Sequence, residues 1–457
     1  MVNFWDFSSW GAFNLIAVLL SALLVANMLK RSLSWLEASL IPTSVLGGGI
    51  LLLISMIYKR ITGTEMFDTP FFGNNGTTWL ELITYHMLAL GFTASALRSN
   101  EGKMTKERSV EIFNTGLTTV ATYLLQALAG MIVCIIAARS LTELLEAAGL
   151  LLALGYGQGP GQAMNYGNLY EVDYGFVGGK SFGLTVASMG FLCASIGGVI
   201  HLNWLKRKGK ILLDKGTGLA SEQVEEANEV PMQENVDKFT LQIAFIMLAY
   251  LVSYLLMYAL GCLLPGMRAT IYGFNFLLGV LATTLLKSIL KFLNQKNIVH
   301  RQYTNNFLLT RATNFFFDIM VTASIAAIRM DIIGKYWAVL LAMGILGLVL
   351  TYAYVYFVCR KLFPAYQEQQ FLAMYGMLTG TASTGIILLR EIDGDFKTPV
   401  ADNLVYQNFP AMVFGFPILL LATMAPTQPY LTLGIVAVFL VAINLLLFRN
   451  FIFRKKK

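Results

Sequence analysis

Charged residues are scarce in this chain of 457 residues. They make up 13% of it, against roughly 25% in ordinary soluble domains, whereas hydrophobic residues make up 56%. A soluble fold cannot bury that much apolar surface and still cover itself with polar groups. The composition therefore excludes a soluble enzyme, a disordered chain and a nucleic-acid-binding module. It predicts an all-α polytopic membrane protein with the lipid bilayer as its main partner.

Cysteine and histidine are also rare. The four cysteines all lie in apolar runs, and none belongs to a CxxC or Cys/His cluster, so we expect neither a zinc site nor a disulfide framework. The three histidines are scattered, and His201 and His300 are interpreted as interfacial or loop-borne. A membrane-embedded enzyme would need a convergent set such as HExxH or paired aspartates, which the sequence lacks. We expect no enzyme and no cofactor.

Apolar runs long enough for spanning helices dominate what is present, since such a helix needs about 20 mostly apolar residues. The eleven predicted spans are 12–29, 40–58, 80–97, 110–138, 178–204, 239–263, 271–290, 312–328, 336–358, 403–425 and 430–448. Two further segments, 146–170 and 368–391, are apolar but interrupted by glycine and small polar residues.

The distribution of basic residues predicts the topology. Lys30 and Arg31 follow the first apolar run, whereas residues 1–11 contain no Lys or Arg, which places the N-terminus outside. If both interrupted segments are re-entrant hairpins, 26 of the 33 basic residues lie inside; if both cross, the split is 17 to 16. The positive-inside rule therefore predicts eleven crossings, two re-entrant hairpins and an internal C-terminus.

The two halves of the chain contain similar segments in the same order. "GFTASALRSN" (91–100) and "MVTASIAAIRMD" (320–331) each precede one long span, an interrupted segment and another span. Five crossings separate them, so the two repeats are predicted to have inverted topology. The predicted domains are a first repeat (1–204), a cytoplasmic linker (205–238), a second repeat (239–425) and an extra C-terminal helix with a basic tail (426–457). The linker is interpreted as a solvated segment or as a partner-binding one.

The first interrupted segment has a glycine at every second position from 155 to 161, and Pro160 lies between the last two. These glycines are Gly155, Gly157, Gly159 and Gly161. A helix tolerates this poorly, because glycine costs roughly 1 kcal/mol and proline roughly 3 kcal/mol relative to alanine. The segment must then line protein or a water-filled cavity. The amides predicted at its tip are Gln158, Gln162 and Asn165. The alternative is a helix-packing face; a dinucleotide-binding loop would need a preceding strand.

The second interrupted segment is rich in hydroxyl groups. They belong to Thr379, Thr381, Ser383 and Thr384, which surround Gly380 and Gly385. Hydroxyl and carbonyl oxygens suit Na⁺, and the N-termini of half-helices suit a substrate carboxylate. Ordinary interhelical hydrogen bonding is the alternative.

Polar residues elsewhere in the apolar spans complete the candidate sites. Arg390 could pair with a substrate carboxylate or extend to the interface. Asn408 lies beside two prolines, so its helix could bend toward the cavity or merely be kinked. Asp318 is either a functional carboxylate or half of a structural ion pair. With it, the repeated Thr-Ala-Ser strings provide the predicted Na⁺ ligands: Thr93, Ser95, Asp318, Thr322 and Ser324.

Paired interrupted segments in inverted repeats are typical of secondary transporters. The stretch "SLSWLEASLIPTSVLGGGILLL" (32–53) and the two glycine-rich hairpins resemble the bacterial glutamate:sodium symporter family over most of residues 12–425. Where that family carries a Gly-Gly-His-Gly-Thr-Gly type string, Gln158 takes the position of the histidine. The resemblance implies an inner-membrane homodimer that couples glutamate uptake to Na⁺ by elevator-like movement. A transporter of another organic anion, such as a 2-hydroxycarboxylate, and a passive channel are the alternatives.

Overall fold

The computed structural model describes residues 4–98, 105–209, 236–296, 301–394 and 397–452, and these residues form helices joined by turns and short loops. The helices used below are α1 (Phe7–Ser32), α2 (Thr43–Thr62), α3 (Gly76–Leu97), α4 (Lys106–Ala137), α5 (Glu146–Gly157), α6 (Pro160–Tyr174), α7 (Gly179–Arg207), α8 (Lys238–Leu263), α9 (Asn275–Gln295), α10 (Asn306–Ala326), α11 (Trp337–Leu362), α12 (Gln367–Thr379), α13 (Ala382–Arg390), α14 (Val400–Tyr406), α15 (Asn408–Met424) and α16 (Pro429–Leu447).

Nine of the described helices are long and apolar enough to cross a membrane: α1, α2, α3, α4, α7, α8, α9, α11 and α16. The bent pair α14 and α15, whose axes differ by 46°, makes a tenth if it counts as one span. The predicted all-α polytopic architecture is confirmed at this level. The span predicted at 312–328 falls in α10, which carries Arg311 and Asp318 and is not among the nine. The count of eleven crossings therefore stays a prediction.

Large apolar side chains are exposed along several of these helices. Phe13 on α1, Leu251 on α8 and Val438 on α16 are 70%, 55% and 71% exposed. Soluble proteins rarely present contiguous apolar surface of this kind. Together with their length and composition, these helices indicate a multi-pass membrane protein.

The chain divides into two units, and each of them is built from three separate stretches of sequence. The first consists of Met1–Leu20, Phe67–Lys103 and Ser221–Ala323; the second consists of Ser21–Met66, Met104–Ala220 and Ser324–Lys457. Each unit draws on both halves of the sequence. Most of the predicted linker and the end of the basic tail, 210–235 and 453–457, lie outside the described residues, as does His300.

Aromatic contacts hold the first unit together. The ring of Phe92 on α3 lies 5.2 Å from that of Phe276 on α9 and 5.6 Å from that of Phe317 on α10. The Asn275 side chain donates a hydrogen bond to the backbone oxygen of Tyr85 at 3.0 Å. Polar and aromatic contacts thus join α3 to its neighbours.

Glycines allow close helix packing in the second unit. A Cβ added at Gly149 of α5 would overlap the backbone of Gly130 on α4, and one added at Gly167 of α6 would overlap that of Gly179 on α7. Small residues at such crossings let helix backbones approach closely, as in other membrane proteins.

The close approach of α4 and α5 predicts that Gly149→Ala destabilises the protein. The new methyl group must displace backbone, at a cost of about 1–3 kcal/mol or more. The midpoint of thermal unfolding in detergent micelles, followed by tryptophan fluorescence, should fall. Gly434→Ala on α16 is the matched control, because nothing lies within 4 Å of its added Cβ. Equal midpoints for the two variants would contradict the proposed packing.

Candidate functional site

The first interrupted segment is a helix of mixed type that ends in a sharp turn. It has 3₁₀ geometry over Glu146–Leu150 and π geometry over Ala153–Gly157. The chain then turns at Gly159, with φ +90° and ψ 177°, and α6 begins at Pro160. Only glycine adopts that backbone conformation readily, and proline is well suited to the first position of a helix. The glycines and Pro160 therefore end one helix and begin another.

The two ends of this segment lie at the same end of α11. Before α5, the backbone oxygen of Glu143 accepts a hydrogen bond from the Tyr336 hydroxyl at 3.2 Å. After α6, the Phe176 ring lies 5.6 Å from the Tyr336 ring. Near the turn, Tyr156 donates to the backbone oxygen of Gly344 at 2.8 Å, about two helical turns further along α11. The segment thus runs along α11 for about two helical turns, turns back at Gly159 and returns to the end of α11 where Tyr336 lies.

The second interrupted segment is a pair of short antiparallel helices. The glycines Gly376 on α12 and Gly385 on α13 face each other, because a Cβ at the first would lie 2.8 Å from the Cα atom of the second. The turn between the helices lies at Gly380 and Thr381. With 13 and 9 residues, neither helix has the roughly 20 residues needed to cross a bilayer.

The tips of the two segments meet. A Cβ at Gly159 would lie 3.7 Å from the Cγ2 atom of Thr381 and 4.0 Å from the backbone oxygen of Gly380. Gln126 on α4 closes one side, because its Nε2 atom donates to the backbone oxygen of Leu378 at 2.9 Å. We call this region the tip site and define it by Gln126, Gly159, Gln162, Gly380 and Thr381.

Two helix N-termini converge on the tip site. α6 begins beside Gly159 and α13 begins beside Thr381, and neither N-cap residue makes a side-chain capping hydrogen bond. The first N–H groups of a helix have no partner within that helix, and the helix dipole adds positive partial charge there. The tip site is therefore suited to an anion.

Gln162 supplies a second, independent indication of a ligand. Its side chain is 1% exposed, and neither its Nε2 nor its Oε1 atom has a hydrogen-bond partner among the described residues. The Oε1 atom of Gln126 is likewise buried without a partner there. Burying an amide without hydrogen bonds costs roughly 1–3 kcal/mol. A polar ligand at the tip site would satisfy these groups.

The remaining hairpin candidates divide into those near the tips and those away from them. Thr384 lies 3.4 Å from Thr381, hydroxyl to hydroxyl, and Thr379 donates to the backbone oxygen of Tyr375 at 2.6 Å. On α6, Gly161 and Asn165 are buried. At the first tip Gln158 is half-buried, and Ser383 on α13 is half-buried too.

Arg390 lies away from the tip site, and Asn408 is exposed. Arg390 is exposed at the far end of α13, nine residues and thus about 13 Å of helix beyond Thr381. Asn408 is also exposed, and its Oδ1 atom accepts from Gln407 at 3.0 Å. Their proposed roles in substrate binding stay predictions.

The predicted Na⁺ ligands are distributed over the two units. Thr93, Ser95, Asp318 and Thr322 belong to the first unit, and Ser324 belongs to the second. The Thr93 hydroxyl is buried without a partner among the described residues, whereas Thr322 donates to the backbone oxygen of Asp318 at 2.9 Å. Asp318 itself is exposed. The Na⁺ role of this set stays a prediction.

Sequence reasoning missed two polar groups of the second unit. Gln126 lies inside the apolar run predicted at 110–138, and a lone amide in a spanning helix is the signal that could have identified it. It bonds Thr351 of α11 at 2.8 Å as well as Leu378. The second is His201, which is fully buried on α7 and hydrogen-bonded to Glu368 and Tyr352.

The backbone conformation at the first tip predicts a strong effect of Gly159→Ala. The added methyl group has room, but a side chain at φ +90° and ψ 177° is strained, at a cost of about 1–3 kcal/mol. Ligand binding should weaken and the unfolding midpoint should fall. Gly175→Ala is the control, because Gly175 also has positive φ (+69°) but ends α6 in open space. Binding lost equally in both variants would show that the tip has no special role.

Neither the models of known protein families nor the curated protein sequences match this chain. The resemblance to the glutamate:sodium symporters therefore stays a prediction. The tip site is defined by its own residues: two uncapped helix N-termini that meet beside a buried glutamine without partners among the described residues.

Proposed function

We propose that the protein is a secondary active transporter that couples uptake of glutamate, or of a related amino acid or small carboxylate, to Na⁺. The tip site binds the substrate carboxylate. The observation that carries this proposal is the meeting of two uncapped helix N-termini beside the Gln162 amide, which has no partner in the described part of the chain. N–H groups fixed in this way bind a carboxylate without reorganisation.

Both interrupted segments act as re-entrant hairpins in this proposal. Tyr336 contacts the chain both before and after the first segment, so the two ends of that segment lie together, and the arms of the second are too short to span. Counting both as re-entrant puts 26 of the 33 Lys and Arg residues inside. Eleven crossings, an external N-terminus, an internal C-terminus and two inverted repeats follow from this topology. Transport then proceeds by alternating access at the repeat interface.

The tip residues support an anionic substrate but leave its shape open. Gln126, Gln162 and Thr381 offer amide and hydroxyl groups, which can bind either a second carboxylate, an amino group or a hydroxyl. The predicted Na⁺ ligands Thr93, Ser95, Asp318, Thr322 and Ser324 offer hydroxyl and carboxylate oxygens, which suit Na⁺. The inner membrane, the homodimer and elevator-like movement complete the proposal, on the basis of the family resemblance. A 2-hydroxycarboxylate is the alternative substrate.

Proteoliposomes provide the direct test of coupling. Radiolabelled L-glutamate should accumulate above its external concentration under an inward Na⁺ gradient and should not accumulate under an equal K⁺ gradient. A Na⁺ ionophore should abolish the accumulation. Uptake that only equilibrates, whatever the gradient, would contradict active transport and favour a channel. Na⁺-driven accumulation of a 2-hydroxycarboxylate but not of glutamate would instead reassign the substrate.

A charge placed at the tip site tests the proposed location. Gln162→Glu should weaken substrate binding by roughly tenfold or more, because a buried carboxylate repels the substrate carboxylate. Asn168→Asp makes the same chemical change on the same helix, at an exposed position, and should stay within about twofold of the wild type. Substrate affinity can be measured by isothermal titration calorimetry in detergent. Unchanged affinity in Gln162→Glu would exclude the tip site as the carboxylate site.

A further inference from the structure

A buried histidine fastens the base of the second hairpin. His201 on α7 is fully buried, and its Nε2 atom lies 2.9 Å from the Oε2 atom of Glu368. Its Nδ1 atom lies 2.7 Å from the hydroxyl oxygen of Tyr352 on α11. Glu368 is 8% exposed and belongs to the first turn of α12. These hydrogen bonds join three helices, at the end of α12 that is opposite to the tip site.

Aromatic rings enclose this triad. The rings around His201 belong to Phe371, Trp204, Tyr352 and Tyr356, with centroid distances from 4.3 to 5.8 Å. An apolar surround of this kind makes an uncompensated charge costly. An ionisable pair kept inside a membrane protein in this way is a candidate functional group.

The triad has two hydrogen-bonded states that differ by one proton. In the first, His201 is neutral: its Nε2–H donates to the Glu368 carboxylate, and its Nδ1 accepts from the Tyr352 hydroxyl, so that the net charge is −1. In the second, a proton from water has bound at Nδ1. Both ring nitrogens then donate, the Tyr352 oxygen accepts, and the net charge is zero.

The neighbouring titratable groups do not compete for this proton. Among the described residues, the titratable groups that face Glu368 or Tyr352 are Tyr356 and Cys359 on α11 and Tyr375 on α12. On α7, Trp204 does not titrate, and Lys208 lies over its ring at 4.2 Å. Cysteine and tyrosine ordinarily lose their protons above neutral pH, whereas histidine changes charge between about pH 5 and 8. Histidine is therefore the residue type in this cluster that ordinarily exchanges a proton in the physiological range.

We propose that His201 and Glu368 form a proton-binding site that holds the start of α12, the base of the second hairpin, against α7. We call this contact the latch. The proton makes the buried triad electrically neutral, so the latched arrangement is more stable with the proton bound. Loss of the proton leaves a buried net negative charge, which favours separation of Glu368 from His201 and entry of water. The hairpin is thus tied at its base by a proton while its tip holds the substrate. The effect on transport rests on the proposed function; proton binding does not.

Hydrogen–deuterium exchange of the full-length protein in nanodiscs tests the latch without substrate. Exchange of the backbone amides of α12 is measured at pH 6 and pH 8 and corrected for the intrinsic chemical rate. The wild type should exchange more slowly at pH 6 by about threefold or more. His201→Gln and Glu368→Gln keep polar side chains of similar size. In each of them, the ratio of the corrected exchange rates at the two pH values should be near one. If His201→Gln does not fold, the exchange ratio of Glu368→Gln alone tests the proposal.

His86→Gln is the matched control. His86 on α3 also hydrogen-bonds a tyrosine, Tyr250 at 2.6 Å, but it is exposed. This variant should keep the wild-type pH dependence in α12. The proposal is overturned if the substituted triad retains the wild-type ratio, or if α12 in the wild type exchanges equally at both pH values. This experiment does not measure glutamate uptake, so an absence of uptake in proteoliposomes would not change its outcome.

Discussion

Backbone hydrogen bonding away from water is the constraint on which the second unit depends. The turn at Gly159 and Pro160 interrupts the helical ladder at one tip, and the turn at Gly380 and Thr381 interrupts it at the other. An unmet backbone group in lipid costs several kcal/mol. Both tips must therefore lie against protein or a water-filled cavity, and α4, α7 and α11 pack against them.

The enclosing helices are adapted to the turns that they cover. On α7, Gly190 has no side chain to obstruct the backbone oxygen of Thr379, which a Cβ there would overlap. On α4, the amide of Gln126 donates to the backbone oxygen of Leu378, one of the carbonyl groups that the end of α12 leaves free. The glycines thus permit close approach, and the glutamine satisfies part of the freed backbone. What remains for a ligand to use is the N–H groups of two helix starts, the Gln162 amide and the Oε1 atom of Gln126.

Local signals in the sequence predicted the elements but not their partners. Apolar runs located most of the spanning helices, and the glycines around Pro160 located the first turn, because both depend on neighbours in sequence. Gln126 and His201 depend instead on residues far along the chain: Leu378 is 252 residues from the first, and Glu368 is 167 from the second. No periodicity or motif encodes such contacts.

The path of α13 explains why Arg390 falls outside the tip site. Arg390 follows the hydroxyl-rich turn closely in sequence, but α13 is a regular helix that carries it away from Thr381. Asn408 follows the break between α14 and α15, and its side chain is exposed. Chemical suitability identifies residues that could bind a carboxylate, and only the path of the helices decides which ones reach it.

The charge of the tip site bears on the proposed ion coupling. Its defining side chains are amides and a hydroxyl, without a full charge. Each helix N-terminus contributes about half an elementary charge, so the two together balance about one carboxylate. Glutamate carries two carboxylates and one ammonium group, so its net charge of −1 matches this positive charge, whereas a dicarboxylate without an ammonium group brings a second negative charge that these residues do not neutralise. In the proposed transporter, a cation that binds with such a dianion would supply the missing charge, and the cation gradient would drive accumulation of the substrate.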